Sequence, residues 1–386
     1  MKICFICGEY PPGLHGGIGT MTQVLGRALA KQGHDVRVIG IYPRDYPAPD
    51  FEVDRGVRVW RLRDSTYPGG WLASRMRLFW RVSEWVNAGQ IDVIEVPDYQ
   101  GWAAGWKKLA VPVIVRLHGS LTYFSTELQK PIDVAAYWIE RASLRRADNV
   151  ASVCEYTSRV TQKVFDLSLG ATATIYNPVE LVRDSPETLR FQNRVVFSGT
   201  LAGKKGVVAL IKAWTAVVKS RPDAELHIFG KDARADNGQS MQAHLCSMLN
   251  GVRSSVQFHG HVSREDLLDV YRTAGAAVFP SRAEAFAIAP LEAMASGCPT
   301  IYSVRGSGPE LLQDGFEGLL VDPDSPEQIA ESILRIQADP SFARKLGDAG
   351  RLRVREQFSL ERLTAKNAAF FKQCVDNFQL HGQESN

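Results

Sequence analysis

The chain alternates short apolar segments with longer amphipathic ones, and this alternation begins twice. In the first half the short segments are KICFICGE, DVRVIGI, RVWRL, DVIEVP, VPVIVRLHG and ADNVASVC. Near residue 194 the pattern restarts with RVVFSGT, AELHIFG, SVQFHGHV, AAVFPS, PTIYSV and GLLVD. Short β-rich segments separated by helical ones indicate βα units around a parallel sheet. The sequence therefore predicts two open α/β domains.

The length supports two domains, because 386 residues exceed the size of one ordinary hydrophobic core. A segment rich in turn formers, YNPVELVRDSPET, places the joint around Asn177 to Arg194. We expect a first domain at 1–180 and a second at 190–358. From the residues alone, the last helix, near Leu360 to Val375, could pack on either half.

Composition excludes a disordered, fibrous or membrane-spanning chain. Hydrophobic residues at 45% and charged residues at 23% are close to globular averages. No apolar segment approaches the roughly 18 residues that suggest a membrane span. The N-terminus, MKICFICGEY, is too short for a signal-peptide core, so we interpret it as a buried first strand and expect a cytoplasmic protein.

Two motifs have the spacing of a metal or redox site, and both have a simpler interpretation. Cys4 and Cys7 show C-x-x-C spacing, but on a strand they point to opposite faces and are expected to be buried thiols. Asp322 and Asp324 form D-x-D, but Ser325 and the following proline predict a helix start there. We therefore expect a turn and no metal site.

The net charge of +3 is confined to the first half, with 21 Lys and Arg against 18 Asp and Glu in residues 1–180. This is too weak for nucleic-acid binding. A local basic surface lies in SRMRLFWRVSEWV, residues 74–86, where arginines alternate with Met76, Phe79, Trp80 and Trp85. An ordinary helix with its aromatic side chains in the core is the favoured interpretation. The alternative is a membrane-surface helix, with peripheral contact at the inner face of the membrane.

Open parallel sheets bind ligands beyond the carboxyl ends of their strands, where this chain concentrates its unusual residues. After the first strand, GEYPPGLHGGIGT carries Gly16, Gly17 and Gly19, which let a ligand approach the backbone before a helix expected to begin near Thr20. Thr22 stands where a dinucleotide fingerprint has its third glycine, and the loop is long for that motif. A purely structural loop is the alternative.

A histidine, His118, ends the apolar strand in VPVIVRLHGS and is followed by Gly119. A lone histidine is more often structural than catalytic, but a strand end beside the ligand edge makes both roles plausible.

The segment VVFSGTLAGKKGVVALIKAW repeats the strand, loop and helix arrangement. Gly199, Gly203 and Gly206 leave backbone amides accessible, and Lys204 and Lys205 are expected where the helix begins. Cations at a helix N-terminus oppose its dipole, so an anionic ligand between them is expected.

The segment SRAEAFAIAPLEAMASGCP sets two glutamates eight positions apart. Pro290 suits the first turn of a helix that ends at Gly297, with Phe286 to Ala289 at its start. Glu284 then lies in the loop before the helix and Glu292 one turn inside it. Carboxylates near the positive helix end can accept hydrogen bonds from the hydroxyls of a polyol. Two solvated glutamates with capping roles are the alternative.

These motifs, together with FHGHVSREDLLDVYRTAGAAVFPS and EAMASGCPTI, occur in an order that resembles the family 4 retaining glycosyltransferases of the GT-B fold over nearly the whole chain. The resemblance implies two Rossmann-like domains with parallel sheets facing a central cleft, and a final helix, about 360–380, that crosses back to the first domain. It also implies a nucleotide-sugar donor on the second domain, an acceptor on the first, and no metal.

The resemblance also implies the roles of individual residues. Glu292 would bind the ribose hydroxyls, Glu284 the sugar hydroxyls and Lys205 the diphosphate. Gly17 would contact the diphosphate, His118 would lie beside the transferred sugar, and the backbone around Val262 would hold the base. Catalytic roles fall on His118, Glu284 and Lys205, and donor binding on Gly16, Gly17, Gly199, Thr200, Lys204, Lys205, Val262, Glu284, Phe286, Ala287, Ile288, Ala289 and Glu292.

Two positions depart from the family pattern. Thr200 stands where an arginine is usual, which removes one cation from the diphosphate site. Ala287 stands where a glycine is usual, which could narrow the space beside the sugar.

The resulting hypothesis is a retaining, metal-independent hexosyltransferase without a bound cofactor. It would use a nucleotide sugar, UDP-glucose first, and a saccharide or lipid-linked saccharide acceptor in polysaccharide or glycoconjugate biosynthesis. A nucleotide-sugar epimerase of the same fold and a noncatalytic sugar-nucleotide binding module are the alternatives.

Overall fold

A computed structural model describes residues 1–13, 15–170, 172–181, 190–235 and 238–384. The chain forms two compact units, one of residues Met1–Pro178 with the final helix and one of residues Val179–Ser359. The predicted joint at 177–194 lies partly outside the described residues, because it includes 182–189.

The first unit contains an eight-stranded sheet in the order β3-β4-β2-β1-β5-β6-β7-β8. The strands are β1 (Lys2–Ile6), β2 (Asp35–Tyr42), β3 (Phe51–Asp54), β4 (Val57–Arg63), β5 (Val93–Pro97), β6 (Val113–Leu117), β7 (Asn149–Ser152) and β8 (Ala173–Thr174). All neighbours pair in parallel except β3 and β4. The antiparallel edge strand was not predicted. Arg55 and Gly56, both with positive φ, form the two-residue turn that such a hairpin requires.

Helices cover both faces of this sheet. They are α1 (Gly17–Lys31), α2 (Gly70–Asn87), α3 (Leu121–Glu127), α4 (Val134–Arg146) and α5 (Glu155–Phe165). Cys4 packs with the α2 side chains and Cys7 with those of α1, so the prediction of two buried thiols on opposite faces is confirmed.

Helix α1 begins at Gly17, three residues before the predicted start at Thr20. The carboxylate of Glu9 accepts a hydrogen bond from the Gly19 N–H at 2.7 Å. A partner for a first-turn amide stabilises this earlier start, and that partner lies ten residues back in the chain.

The interpretation of residues 74–86 as a helix with its aromatic side chains in the core is only partly correct. Trp85 is buried in the core and Phe79 is partly buried, but Met76 and Trp80 are 50% and 58% exposed. The inward side of α2 is filled by smaller apolar residues such as Leu78 and Val82. This leaves Met76 and Trp80 on the outward side.

The second unit contains a parallel six-stranded sheet in the order β11-β10-β9-β12-β13-β14. Its strands are β9 (Phe191–Ser198), β10 (Glu225–Phe229), β11 (Val256–Gly260), β12 (Ala274–Phe279), β13 (Thr300–Ser303) and β14 (Leu319–Val321). Its helices are α6 (Val207–Ser220), α7 (Met241–Met248), α8 (Arg264–Thr273), α9 (Ile288–Ala295), α10 (Gly308–Leu311), α11 (Pro326–Ala338) and α12 (Pro340–Arg353).

The final helix, α13 (Leu360–Glu384), belongs to the first unit. Arg116, fully buried on β6, donates to the Asn367 side-chain oxygen at 2.6 Å and to the Glu95 carboxylate at 2.7 Å. The Phe371 ring meets that of Phe5 edge to face at 6.0 Å. A buried hydrogen bond from Arg116 to Asn367 and an apolar contact therefore attach α13 to the sheet.

One glycine, Gly206, determines how two loops of the second unit pack. It has a φ of 72°, and a Cβ atom there would lie 1.6 Å from the carbonyl oxygen of Pro280. The left-handed conformation and the contact with backbone both exclude a side chain.

We expect Gly206→Ala to destabilise the second unit by about 2 kcal/mol or more, which lowers Tm by about 4 °C or more. Gly203→Ala is the matched control, since a Cβ atom at Gly203 would meet no atom within 4 Å. Thermal denaturation of the two variants checks this. Equal Tm values would show that the loop at 206 adapts to a side chain without cost.

Candidate active site

Two loops of the second unit follow adjacent strands and contact each other. Residues 199–206 follow β9 and residues 280–287 follow β12, which pairs with β9. The Arg282 N–H donates to the Lys204 carbonyl oxygen at 2.8 Å. Because parallel neighbours end at the same edge of the sheet, the predicted glycine and lysine loop and the predicted glutamate loop come together.

The two lysines lie before α6 and not at its start. Gly203–Lys205 form a 3₁₀ turn, and α6 begins only at Val207. Gly206, in the left-handed conformation, separates the 3₁₀ turn from α6. The prediction that Lys204 and Lys205 lie where the helix begins is therefore corrected.

Both lysine ammonium groups interact with one carboxylate. The Lys205 Nζ donates to Glu284 Oε1. Burial lowers the pKa of Lys204, and the negative charge of Glu284 opposes this shift. Glu284 therefore acts on the charges of both lysines.

The segment with two glutamates has the predicted local structure. Helix α9 begins at Ile288, Pro290 is in its first turn, and Gly297 follows its end with a φ of 68°. Glu284 lies in the preceding loop and Glu292 one turn inside the helix. Phe286 and Ala287 directly precede α9, and Ile288 and Ala289 are its first two residues.

The departure at Ala287 does not strain the backbone. Its φ of −91° and ψ of 126° are extended values that any residue adopts. Thr200, the other departure, is exposed in the loop directly after Gly199, on the same segment as the lysines.

Glu292 is held by a cation that the sequence analysis missed. The Arg264 Nε donates to Glu292 Oε1 at 2.5 Å, and its Nη1 pairs with Glu180 at 2.8 Å. Burial raises the pKa of Glu292, and the charge of Arg264 opposes this shift. Arg264 is the first residue of α8, two positions after Val262, which lies in the connection after β11. The only sequence signal was its position after the Ser263 N-cap.

A second set of predicted residues lies at the carboxyl edge of the first unit's sheet. His118 follows β6, and the N–H groups of His118 and Gly119 donate to the Asp98 carboxylate at 2.8 and 3.2 Å. Burial raises the pKa of Asp98 to about 7, against the effect of these donors. Asp98 was not predicted, although an acid directly after the strand DVIEVP was a usable signal.

His118 carries a neutral imidazole. Burial, with a smaller effect of the Arg116 charge, lowers the pKa of His118 to about 3. The side chain can therefore exchange hydrogen bonds with a hydroxyl, but it does not supply positive charge to an anion.

The glycines before α1 differ in their structural roles. Gly16 caps the helix, and a Cβ atom at Gly17 would meet no atom within 4 Å. A Cβ atom at Gly19 would lie 2.0 Å from the Glu9 carbonyl oxygen, so Gly19 serves the fold. An anion at Gly17 would share the helix end with the Glu9 carboxylate.

Asp322 and Asp324 form the predicted turn. Ser325 accepts a hydrogen bond from the Gln328 N–H as N-cap of α11, and Arg305 donates to both aspartates at 3.1 and 2.6 Å. In the described parts of the chain, no group of three or more His, Cys, Asp and Glu side chains is placed to hold a metal ion. Among the same residues, no helix combines the length and apolarity needed to cross a membrane.

Two parallel-sheet α/β units with these strand-end loops define a glycosyltransferase of the GT-B fold class. The family description "Glycosyl transferases group 1" matches residues 183–353, and "Glycosyltransferase Family 4" matches residues 15–183. The chain belongs to this family of group 1, family 4 glycosyltransferases, as its motifs indicated.

The similarity to the following relatives and solved structures covers nearly the whole chain. An uncharacterized glycosyltransferase of Methanocaldococcus jannaschii is 26% identical over 96% of this chain and 98% of its own length. Glycogen synthase of Mycobacterium tuberculosis is 25% identical over 96% and 94%. The structure of sucrose-phosphate synthase from Thermosynechococcus elongatus has a TM-score of 0.80 at 24% identity, covering 97% of this chain and 99% of that one. Anabaena HepE in complex with UDP-glucose has a TM-score of 0.73 at 17% identity, covering 97% and 100%.

The variant His118→Gln tests the neutral imidazole. The folded pKa of about 3 lies below the unfolded value of about 6.5, so the unfolded chain binds more protons between these values. The stability contribution is therefore complete above about pH 6.5 and decreases as the pH falls towards 3. As the pH falls from about 7 to about 5, wild type loses this contribution and the variant does not. We therefore expect the Tm of the variant to rise relative to that of wild type over this range. The same change at the exposed His261 is the control, and parallel curves for both variants would contradict a neutral His118.

Proposed function

We propose that this protein is a retaining, metal-independent hexosyltransferase that uses a UDP-sugar, UDP-glucose first. The observation that carries the proposal is the pairing of Lys205 with Glu284 between adjoining strand-end loops of the second unit, with Glu292 in the first turns of the helix that follows. An ammonium group suits a diphosphate, and two carboxylates suit the hydroxyls of a sugar and a ribose. The acceptor would be a saccharide or lipid-linked saccharide.

The relatives support this choice of donor. HepE was solved with UDP-glucose bound, and it shares the fold of this chain. The names of two other relatives, glycogen synthase and sucrose-phosphate synthase, describe synthesis of a glucan and of a sugar phosphate. None of these names states an acceptor for this chain. The choice of UDP-glucose rests on the HepE complex, and for the acceptor we propose only its chemical class.

Donor binding would exchange partners at the ion pairs. The diphosphate would take Lys205 from Glu284, and the freed carboxylate would accept hydrogen bonds from the sugar hydroxyls. In the same way, ribose hydroxyls would compete with Arg264 for Glu292. Such an exchange would leave each carboxylate with hydrogen-bond donors and Lys205 with a counter-charge before and after binding.

The transfer step needs stabilisation of the departing diphosphate. When the sugar–phosphate bond breaks, its electron pair stays on the phosphate oxygen, and Lys205 and the adjoining amides stabilise this charge. The acceptor oxygen would attack from the face that the diphosphate leaves, and a phosphate oxygen would take its proton. Proton NMR of the product tests retention, and an inverted anomeric centre would contradict it.

The roles of His118 and Gly17 towards the donor remain predictions from the resemblance. A neutral His118 fits a hydrogen bond to a sugar hydroxyl. Asp98 would act on it indirectly, as a positioning residue that fixes the backbone at 118 and 119.

We expect UDP-glucose to raise Tm by about 5 °C at saturating concentration, because a ligand that binds only the folded state stabilises it by mass action. GDP-mannose should produce a smaller shift. Thermal-shift measurements with both donors, with and without EDTA, check this. A larger shift with GDP-mannose would overturn the choice of donor, and a shift that requires Mg²⁺ would overturn metal independence. Product formed from donor alone would indicate the epimerase instead.

The variant Lys205→Ala removes the proposed cation of the leaving group. We expect kcat to fall about a hundredfold, because the interaction strengthens as charge develops on the diphosphate. Lys204→Ala is the matched control and should cost much less. Thr200→Arg should tighten UDP as a product inhibitor without raising kcat, since product release then slows. Steady-state kinetics with UDP inhibition constants distinguish these outcomes. A near-normal kcat in Lys205→Ala beside a large loss in Lys204→Ala would assign the phosphate to the other lysine.

A further inference from the structure

The outward side of helix α2 carries large apolar side chains. Trp71, Leu72, Met76 and Trp80 are each 50–58% exposed. The last three follow one another at four-residue intervals and so form a continuous stripe along the helix. Single exposed apolar residues are ordinary, but a stripe of this size indicates a binding surface.

Helix α4 carries a second exposed apolar pair. Val134 and Trp138, also four residues apart, are 69% and 59% exposed. Side chains of α2, α4 and the segment between β5 and β6 pack in one cluster on the same face of the sheet. Phe79 of α2 contacts the Trp106 ring, with centroids 5.6 Å apart, and Arg146 of α4 donates to the Trp106 carbonyl oxygen at 3.1 Å. The two stripes therefore lie on the outer side of one helical layer.

Two of the exposed indole rings lie against arginines. The Arg75 guanidinium is buried between the rings of Trp71 and Trp102, 4.8 and 5.0 Å from their centroids, and donates to the Gly101 carbonyl oxygen. The Arg141 guanidinium lies 5.7 Å from the Trp138 ring centroid. These contacts restrict the rings, so Trp71 and Trp138 remain outward at a low entropic cost.

The same layer is basic. Residues 70–87 carry three arginines against one glutamate, residues 130–146 carry four basic against two acidic residues, and Lys107 and Lys108 lie between these segments. Together they have a formal charge of +6, whereas the whole chain has +3, so the remainder is net negative. Arg77, Arg81, Lys107 and Arg145 of these segments are exposed.

We propose that this surface, Trp71, Leu72, Met76 and Trp80 of α2 with Val134 and Trp138 of α4, docks the protein on an anionic lipid bilayer. Tryptophan and aliphatic side chains insert at the headgroup level, and the neighbouring arginines and lysines attract the lipid phosphates. The charge decides for lipid against a second copy of this chain, because two copies would bring the same positive charges together. The inference does not depend on the proposed donor.

The test is co-flotation of the full chain with vesicles of phosphatidylcholine alone and with added phosphatidylglycerol. We expect binding to the anionic vesicles, weak binding to the neutral ones, and release at high salt, since the attraction is screened. The double variant Trp80→Ser with Trp138→Ser should bind the anionic vesicles at least about tenfold more weakly than wild type. A charge variant, Arg81→Glu with Lys107→Glu, should lose the preference for anionic lipid.

The control is Phe316→Ser with Leu352→Ser, which removes two apolar side chains, 59% and 51% exposed, from the second unit. It should bind vesicles like wild type. Cooperative thermal denaturation of every variant reports intact folding. Equal binding of wild type and the tryptophan variant, or no binding to anionic vesicles at low salt, would overturn the proposal. So would a wild-type dimer in sedimentation that the tryptophan variant abolishes, because the surface would then be an interface between copies.

Discussion

The strand-end loops of the second unit depend on one close approach of backbone to backbone, that of Gly206 to the Pro280 carbonyl oxygen. Neighbouring parallel strands end at the same edge, so the loops that follow them compete for space. A residue without a Cβ atom lets the two loops touch, and this contact brings Lys205 within reach of Glu284. The residue that sets this geometry therefore carries no functional group of its own.

The ion pairs around these loops limit which ligands can bind. Lys205 and Arg264 each compensate a partly or fully buried carboxylate, and an unpaired charge left there would be costly. An uncharged polyol could satisfy Glu284, but it would leave Lys205 without a counter-charge. A ligand with both an anionic group and hydroxyls satisfies the two sides together. A nucleotide sugar has this combination, and a free sugar does not.

Hydrophobic periodicity predicted most of the strands and several of the helices, because each pattern reports on local burial. Features determined by distant residues could not be predicted in this way. The start of α1 depends on Glu9, the state of Glu292 on Arg264, and the turn at His118 on Asp98. The exposure of Trp80 could not be predicted either, because aromatic side chains occur on both sides of this helix and the sequence does not show which side packs on the sheet. The spacing of the glycines and of the two glutamates identified the loops of the site. Which cation pairs with each glutamate could be seen only in the structure.

The contact between Arg116 and Asn367 spans 251 positions of the chain, and it has a consequence for synthesis on the ribosome. Ribosomes add about 5–20 residues per second, so Arg116 is added to the chain roughly 12 to 50 seconds before its partner on α13. During that interval the sheet of the first unit has the Glu95 carboxylate for Arg116 but not the helix that covers this part of its surface. Residues Val179–Ser359 are complete before α13 is made. The part of the chain made first is therefore the last to be finished, and the face that α13 covers stays exposed until then.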